Sequence, residues 1–219
     1  MRVNASGRRL TNVDSLRGLA ALSVCWFHLS NGNGQFLPDG WLKASGRHGW
    51  LGVDVFFVIS GFILPYAMHN RGYVLRRDIG RFILKRVMRI DPPYFAAAGL
   101  TLLFWYLSAW LPGFRGQAPS VTAGQVLAHV GYLNELLGLP WLGPVFWSLA
   151  IEFQFYLLIA LLFPVVTSNS ATIRLVGLAG VWCAAMIGAP AAWVVPYLGM
   201  FGCGMVVFER HRGAIGRPV

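Results

Sequence analysis

The sequence predicts an all-α fold, a polytopic transmembrane helix bundle of about six spans whose N-terminus and C-terminus are both cytoplasmic. The first supporting observation is composition: 56% of the residues are hydrophobic and only 12% are charged, about half the charged share of a typical soluble domain. The second is that apolar runs of span length alternate with short polar or basic segments. The third is an uneven distribution of Lys and Arg among those segments.

The apolar runs define the order of the expected spans. They lie at residues 13–31, 49–68, 94–111, 145–166, 173–187 and 193–208. Residues 69–91 form the densest basic segment, part of which is predicted to be an amphipathic helix on the membrane surface that ends at Asp91-Pro92-Pro93. Residues 121–137 are only moderately apolar and predict a short or re-entrant helix. The length suits a single membrane domain over residues 1–219.

The distribution of cations predicts the orientation. With the N-terminus inside, the inner segments hold fourteen of the eighteen Lys and Arg residues and the outer loops hold three, while Arg17 lies within the first span. Such an excess of cations marks the cytoplasmic side of a membrane protein. The net charge of +10 therefore reflects topology. The lipid bilayer is the expected partner, and nucleic acid is not, because the cations are confined to short segments between apolar runs.

The first span carries two polar side chains on one face. Arg17 and His28 are separated by about three helical turns, and Asp14, Ala21 and Val24 complete a single stripe with them. A charged side chain within a bilayer is costly, so it normally faces the bundle interior or a water-filled cavity. We therefore expect Arg17 and His28 to face protein, although a histidine in an apolar helix can also be an ordinary core residue.

Two carboxylates are expected at the depth of His28. Asp54 lies in the outer half of the second span, and Glu152 lies one turn below the outer end of the fourth. Ser148, Glu152 and Tyr156 are four residues apart and share a helix face. An intramembrane carboxylate away from the helix ends is functional by default, whereas Asp54 could instead cap a helix.

Arg86 and Arg89 precede the third span and are expected at the inner face, level with Arg17. They could anchor the chain at the membrane like the other cations, or hold an anionic group such as a phosphate.

A histidine beside a carboxylate can take a proton from a hydroxyl group. No metal-ligand spacing, GxSxG motif or phosphate-binding glycine loop occurs in the sequence. The pattern suggests a long phosphorylated donor between a base and a cationic anchor.

Four stretches in a particular order carry a family resemblance. They are Asp14-Ser-Leu-Arg17-Gly-Leu-Ala-Ala with His28, Gly52-Val-Asp54-Val-Phe-Phe-Val-Ile-Ser60-Gly61-Phe62, Arg86-Val-Met-Arg89-Ile-Asp-Pro-Pro-Tyr94, and Trp147-Ser148-Leu-Ala-Ile-Glu152-Phe-Gln-Phe155-Tyr156-Leu. Together they resemble acyltransferase family 3, the bacterial membrane proteins that include glycan O-acetyltransferases. The resemblance covers residues 14–158.

The resemblance implies a multi-pass O-acyltransferase of the bacterial inner membrane. Such an enzyme moves an acyl group, usually acetyl, from cytoplasmic acyl-CoA to a hydroxyl of a glycan, a lipid-linked sugar or a glycoside, without a permanently bound cofactor. His28 would act as a general base or as a transient acyl carrier. The residues expected to be catalytic are His28, Asp54 and Glu152, and those expected to bind acyl-CoA are Arg17, Arg86 and Arg89.

The chain has fewer spans than are usual in this family. We therefore expect the domain at 1–219 to be incomplete at its C-terminus, with a second subunit as one source of the missing helices. Two other functions remain open from the sequence: a catalytically inactive relative or accessory protein in polysaccharide export, and an ion-coupled transporter. A transporter could use Glu152 and His28 as a proton relay, but it would leave Arg86 and Arg89 unexplained.

Overall fold

The computed structural model describes residues 11–32, 37–114 and 116–213. Regular structure in these ranges is helical and includes no strand, which confirms the all-α prediction. The chain forms two compact units. The first contains the described residues up to Tyr66 and those from Gly199 onward, and the second contains Ala67–Leu198. Of the cations that predict the orientation, those outside the described residues are Arg2, Arg8, Arg9, Arg115 and Arg217.

The first unit begins with two helices that match the first two expected spans. Helix α1 covers Thr11–Asn31. A short helix α2, Trp41–Ser45, lies between the first two apolar runs. A 3-10 turn at Gly49–Leu51 then leads into α3, Gly52–Asn70, so the second span begins with a tighter turn than expected.

Glycines allow the connection between α1 and α3 to lie directly against α1. A Cβ atom on Gly52 would meet the backbone carbonyl of Ala20, and one on Gly49 would meet that of Ser23. Only glycine permits two backbones to approach this closely. From Gly49 to Gly52 the chain therefore runs opposite to α1, which is the direction expected between consecutive spans.

The last helix, α8, covers Leu198–His211 and packs along α3. The rings of Phe57 and Phe201 lie 4.8 Å apart, and those of Tyr66 and His211 lie 5.5 Å apart. The first pair is near the N-terminal end of each helix and the second is near the C-terminal end. The two helices therefore run in the same direction, as expected for a second and a sixth span.

The second unit contains the remaining helices. Helix α4 covers Leu75–Ala109, α5 covers Ala123–Val130, α6 covers Phe146–Val166 and α7 covers Ala171–Ala185. Helix α5 confirms the short helix predicted within residues 121–137, and α6 and α7 match the fourth and fifth apolar runs. A 3-10 turn at Val195–Tyr197 occupies the expected start of the sixth run.

The prediction that a helix ends at Asp91-Pro92-Pro93 is wrong. Helix α4 is continuous over 35 residues and includes both prolines. Each proline removes a backbone donor and disfavours helical geometry in the residue before it. The helix nevertheless buries one stripe on both sides of the prolines, formed by Arg86, Ile90, Tyr94 and Ala98. Packing of this stripe outweighs the local cost.

Helices α4 and α6 run in opposite directions. The ring of Tyr94 lies 5.0 Å from that of Phe146 at the start of α6, whereas the hydroxyl of Tyr73, just before α4, donates to the Ala160 carbonyl at 3.1 Å. The part of α4 that lies along α6 is therefore its basic half, and not the apolar half that was expected to be the third span. Only one stripe of α4 contacts α6, so cations on its other faces do not prevent this packing.

Two stretches of the described residues are long and apolar enough to cross a membrane. They are Trp41–Asn70 and Phe146–Val166, and α7 is a shorter apolar helix. These stretches contain the second and fourth expected spans. The total of six spans and the cytoplasmic position of both termini remain predictions.

Candidate active site

In the first unit, Arg17 and His28 lie on the same partly buried side of α1. Both side chains are of intermediate exposure, whereas Leu16, Leu19 and Leu22 are 50%, 64% and 68% exposed. In a bilayer this arrangement would direct the leucines toward lipid and the two polar side chains toward protein.

Asp54 lies in the first turn of α3 and is partly buried. The sequence places it at the depth of His28. In the structure α3 begins beside Ala20, which precedes His28 by about 12 Å of helical rise. Asp54 therefore lies beside the middle of α1 rather than level with His28, because the connecting segment runs back along α1 before α3 begins.

In the second unit, Arg86 is buried against α6 with only 9% of its surface exposed. Its guanidinium carbon lies 5.1 Å from the ring centre of Phe82 and 5.5 Å from that of Tyr156, within the range of cation–π attraction. Tyr156 is at the middle of the 21-residue helix α6. Arg86 therefore does not lie level with the end of α6, where an anchor at the inner membrane face was expected.

Glu152 and Tyr156 are joined by a short hydrogen bond. The Tyr156 hydroxyl donates to a carboxylate oxygen of Glu152 at 2.6 Å, which confirms that these residues share a helix face. A hydrogen bond to an ionised carboxylate is among the stronger ones in proteins. Because the Tyr156 ring also contacts Arg86, this tyrosine connects the guanidinium group to the carboxylate.

A second group of phenols lies beside this cluster. The Tyr132 hydroxyl donates to Asp91 at 2.7 Å. The Tyr132 ring stacks on Phe153 at 5.1 Å and lies 4.9 Å from the ring of Tyr94. The interior of the second unit thus contains three phenols, with a guanidinium group and carboxylates next to them.

Sequence reasoning assigned no role to Tyr94 or Tyr132. The four-residue spacing of Arg86, Ile90 and Tyr94 could have indicated one buried helix stripe. No local pattern indicates Tyr132, which follows a short helix and has a left-handed backbone with φ of 58°. Its position depends on how the segment after α5 folds back.

Buried side chains fix that segment. The side chains of Gln125 and Asn134 both donate to the Pro140 carbonyl, at 2.9 and 3.2 Å. The Nε2 atom of His129 accepts the backbone N–H of Leu142 at 3.2 Å. Because buried polar groups need partners, these bonds hold the connection between α5 and α6 in one conformation.

Acidification is expected to loosen this connection through His129. Burial lowers the pKa of the His129 imidazole from its ordinary value, and the nearby side chain of Asn134 and backbone of Gln125 oppose part of the shift. The folded state therefore favours the neutral ring. The contribution of the neutral His129 ring to the free energy of unfolding is complete above about pH 6.5, the pKa of histidine in the unfolded chain. This contribution is lost as the pH falls below that value, by at most about 1.4 kcal/mol per pH unit. Thermal unfolding in detergent at about pH 5.5 and 7.5 measures this loss.

The matched variant is His129→Gln, whose amide oxygen can accept the Leu142 N–H but does not titrate. Its unfolding midpoint is expected to vary less with pH than that of the wild type. The same pH dependence in both proteins would contradict the assignment to His129.

The described residues contain no group of three His, Cys, Asp or Glu side chains that could hold a metal ion. They do supply Arg17, Arg86 and Arg89 as groups that could bind an anionic donor. The cluster around Arg86 combines a guanidinium group, a phenol and a carboxylate, which can bind a polarised carbonyl. The roles of His28, Asp54 and Glu152 in catalysis remain predictions.

A family model described as "Acyltransferase domain", acyltransferase family 3, matches residues 10–214 of the chain. The "Putative membrane-bound transacylase BcsY" of Komagataeibacter xylinus is 32% identical over 169 residues, which are 71% of this chain and 38% of that protein. The "O-acetyltransferase OatA" of Staphylococcus aureus is 30% identical over 166 residues, which are 71% of this chain and 25% of that protein.

A third relative is viral. The "Putative acetyltransferase ORF330" of Acidianus two-tailed virus is 30% identical over 152 residues, which are 68% of this chain and 40% of that protein. The chain thus spans two fifths or less of the length of each of these relatives. No solved structure matches the chain.

Proposed function

Because this chain belongs to acyltransferase family 3, we propose that it is a multi-pass O-acyltransferase of the bacterial inner membrane. It transfers an acyl group, acetyl in the first instance, from cytoplasmic acyl-CoA to a hydroxyl of a glycan, a lipid-linked sugar or a glycoside. The observation that carries the proposal is the cluster formed by the buried Arg86 and Tyr156 with the partly buried Glu152. The family indicates the class of reaction, and the cluster offers a polar interior for it.

Each predicted residue has a role in the proposed reaction. The acceptor hydroxyl gives its proton to His28 while its oxygen attacks the carbonyl carbon of the thioester. The carbon–sulfur bond then breaks, and the proton passes to the sulfur of CoA. A carboxylate, Asp54 or Glu152, stabilises the charged form of the imidazole, and the cations at positions 17, 86 and 89 bind the donor.

Helix directions support the multi-pass arrangement. Within the first unit the chain approaches α3 by running opposite to α1, and α3 and α8 run in the same direction. Within the second unit α4 and α6 are antiparallel. A chain that crosses a bilayer repeatedly, with both termini inside, requires this alternation. One relative carries the words "membrane-bound" in its name.

Purified chain reconstituted in proteoliposomes tests the proposal with radiolabelled acetyl-CoA and a soluble glycoside. We expect label on the glycoside above the level given by a mock purification from cells that lack the chain. Donor binding without transfer to any hydroxyl acceptor would reject catalysis by this chain alone.

A non-catalytic membrane component is the second candidate. The sequence leaves this alternative open beside the enzyme. On this reading the chain neither binds acetyl-CoA nor transfers acetyl, and it acts as an accessory protein in polysaccharide export. The same proteoliposomes distinguish the two candidates, because only the enzyme shows both donor binding and transfer.

A further inference from the structure

The two arginines of the Arg-x-x-Arg motif have different environments on α4. Arg86 is 9% exposed and belongs to the stripe that packs against α6, whereas Arg89 is exposed. The stripe continues at Ile90 and Tyr94, so position 89 falls beside it rather than on it. Two side chains with such different access to solvent are poorly suited to one shared role.

Arg86 has a buried donor without an acceptor. Its Nε atom is buried and, in the part of the chain that the structure describes, has no hydrogen-bond partner. The rings of Phe82 and Tyr156 cover the guanidinium group. Glu152 acts on it electrostatically and accepts the hydroxyl of Tyr156. An unpaired buried charged donor is costly, which indicates a ligand atom that accepts its hydrogen bond.

The exposed cations of α4 form a separate row. Arg81, Lys85 and Arg89 are exposed and follow one another at a spacing of four residues. Arg77 begins the row and is paired with Asp78 at 2.8 Å. Like charges at this spacing repel one another. A ligand with several phosphate groups would relieve the repulsion and accept charge-assisted hydrogen bonds.

We propose that α4 recognises the two ends of one acyl-CoA molecule with these two sets of cations. Arg81, Lys85 and Arg89 bind the phosphates, and Arg86 donates a hydrogen bond to the carbonyl oxygen of the thioester. This inference rests on the function proposed above. The phosphates and the thioester of acyl-CoA are separated by a long uncharged arm, so one donor can reach both an exposed and a buried cation. Arg86 is then a catalytic residue.

The chemistry assigns a distinct kinetic effect to Arg86. When the acceptor oxygen bonds to the carbonyl carbon, the carbonyl electron pair moves to its oxygen, and negative charge develops beside the guanidinium group. The carbonyl re-forms as the carbon–sulfur bond breaks, and the acceptor proton ends on the CoA sulfur. A hydrogen-bond donor held next to this charge, where water is excluded, stabilises the transition state more than the ground state. Arg86 should therefore act mainly on kcat.

The test compares Arg86→Gln with Arg89→Gln in the full chain, using acetyl-CoA and the phosphate-free donor S-acetyl-N-acetylcysteamine. Arg86→Gln is expected to lower kcat about 10²- to 10³-fold with both donors. Arg89→Gln is expected to raise the KM for acetyl-CoA about tenfold. Its effect on the phosphate-free donor should be below about twofold, because that donor lacks the groups this cation binds.

A third variant separates chemistry from folding. Arg86→Lys keeps the positive charge but loses the Nε donor and the planar fork. Its kcat is expected to stay at least about tenfold below the wild type, with an unfolding midpoint in detergent near that of the wild type. The proposal is overturned if Arg86→Gln has wild-type kcat with the phosphate-free donor, or if Arg86→Lys has wild-type kcat with acetyl-CoA. Failure of the wild type with both donors would instead reject the proposed function.

Discussion

Replacing His28 with alanine is expected to lower acyl transfer about 10²- to 10⁴-fold, the usual contribution of a positioned general base. His28 lies on the partly buried side of α1, with its ring 5.4 Å from that of Phe27. An imidazole is the side chain whose ordinary pKa suits proton transfer near neutral pH. Initial rates with labelled acetyl-CoA and a saturating glycoside acceptor measure the loss.

His48→Ala is the matched control. His48 is an exposed histidine before the 3-10 turn that leads into α3, and its replacement should change the rate less than about twofold. Wild-type transfer by His28→Ala would remove His28 from the mechanism. Acetylated wild-type protein that accumulates without an acceptor, and is missing in His28→Ala, would show that the imidazole carries the acyl group instead of acting only as a base.

Gly204→Ala is expected to destabilise the first unit by about 1–3 kcal/mol, the cost of overpacking a closely packed contact. A Cβ atom on Gly204 would meet the Val58 carbonyl and the Phe62 nitrogen of α3. These are backbone atoms, so no side-chain rotation relieves the clash. Close approach of two helix backbones at small residues is a common means of packing within membranes. Thermal unfolding in detergent measures the loss.

Gly99→Ala provides a control with the same chemical change. A Cβ atom on Gly99 in α4 would meet nothing within 4 Å. Alanine is favoured over glycine in a helix by up to about 1 kcal/mol, so this variant should keep or raise the unfolding midpoint. A fall of equal size in both variants would contradict the close approach of α3 and α8.

Much of the helical framework could be predicted from local properties of the sequence. The apolar runs at residues 13–31 and 145–166 correspond closely to α1 and α6, because the length of an apolar run and its helical period are properties of neighbouring residues. The same periodicity predicted that Arg17 and His28 share a side of α1 and that Glu152 and Tyr156 share a side of α6. The proline pair at positions 92 and 93 misled the prediction, because the local cost of proline is visible in the sequence and the compensating packing is not.

By itself the sequence determined the helical class, the approximate position of most helices, the family and the polar residues that carry its motifs. Only the tertiary structure decided that Arg86 is buried beside Tyr156 while Arg89 stays exposed, that Tyr132 reaches Asp91, and that α3 starts beside the middle of α1. These features depend on contacts between distant segments, as in the bond between Tyr73 and Ala160, which are 87 positions apart. Helical periodicity specifies which side chains share a face, but the partner helix determines which face becomes buried.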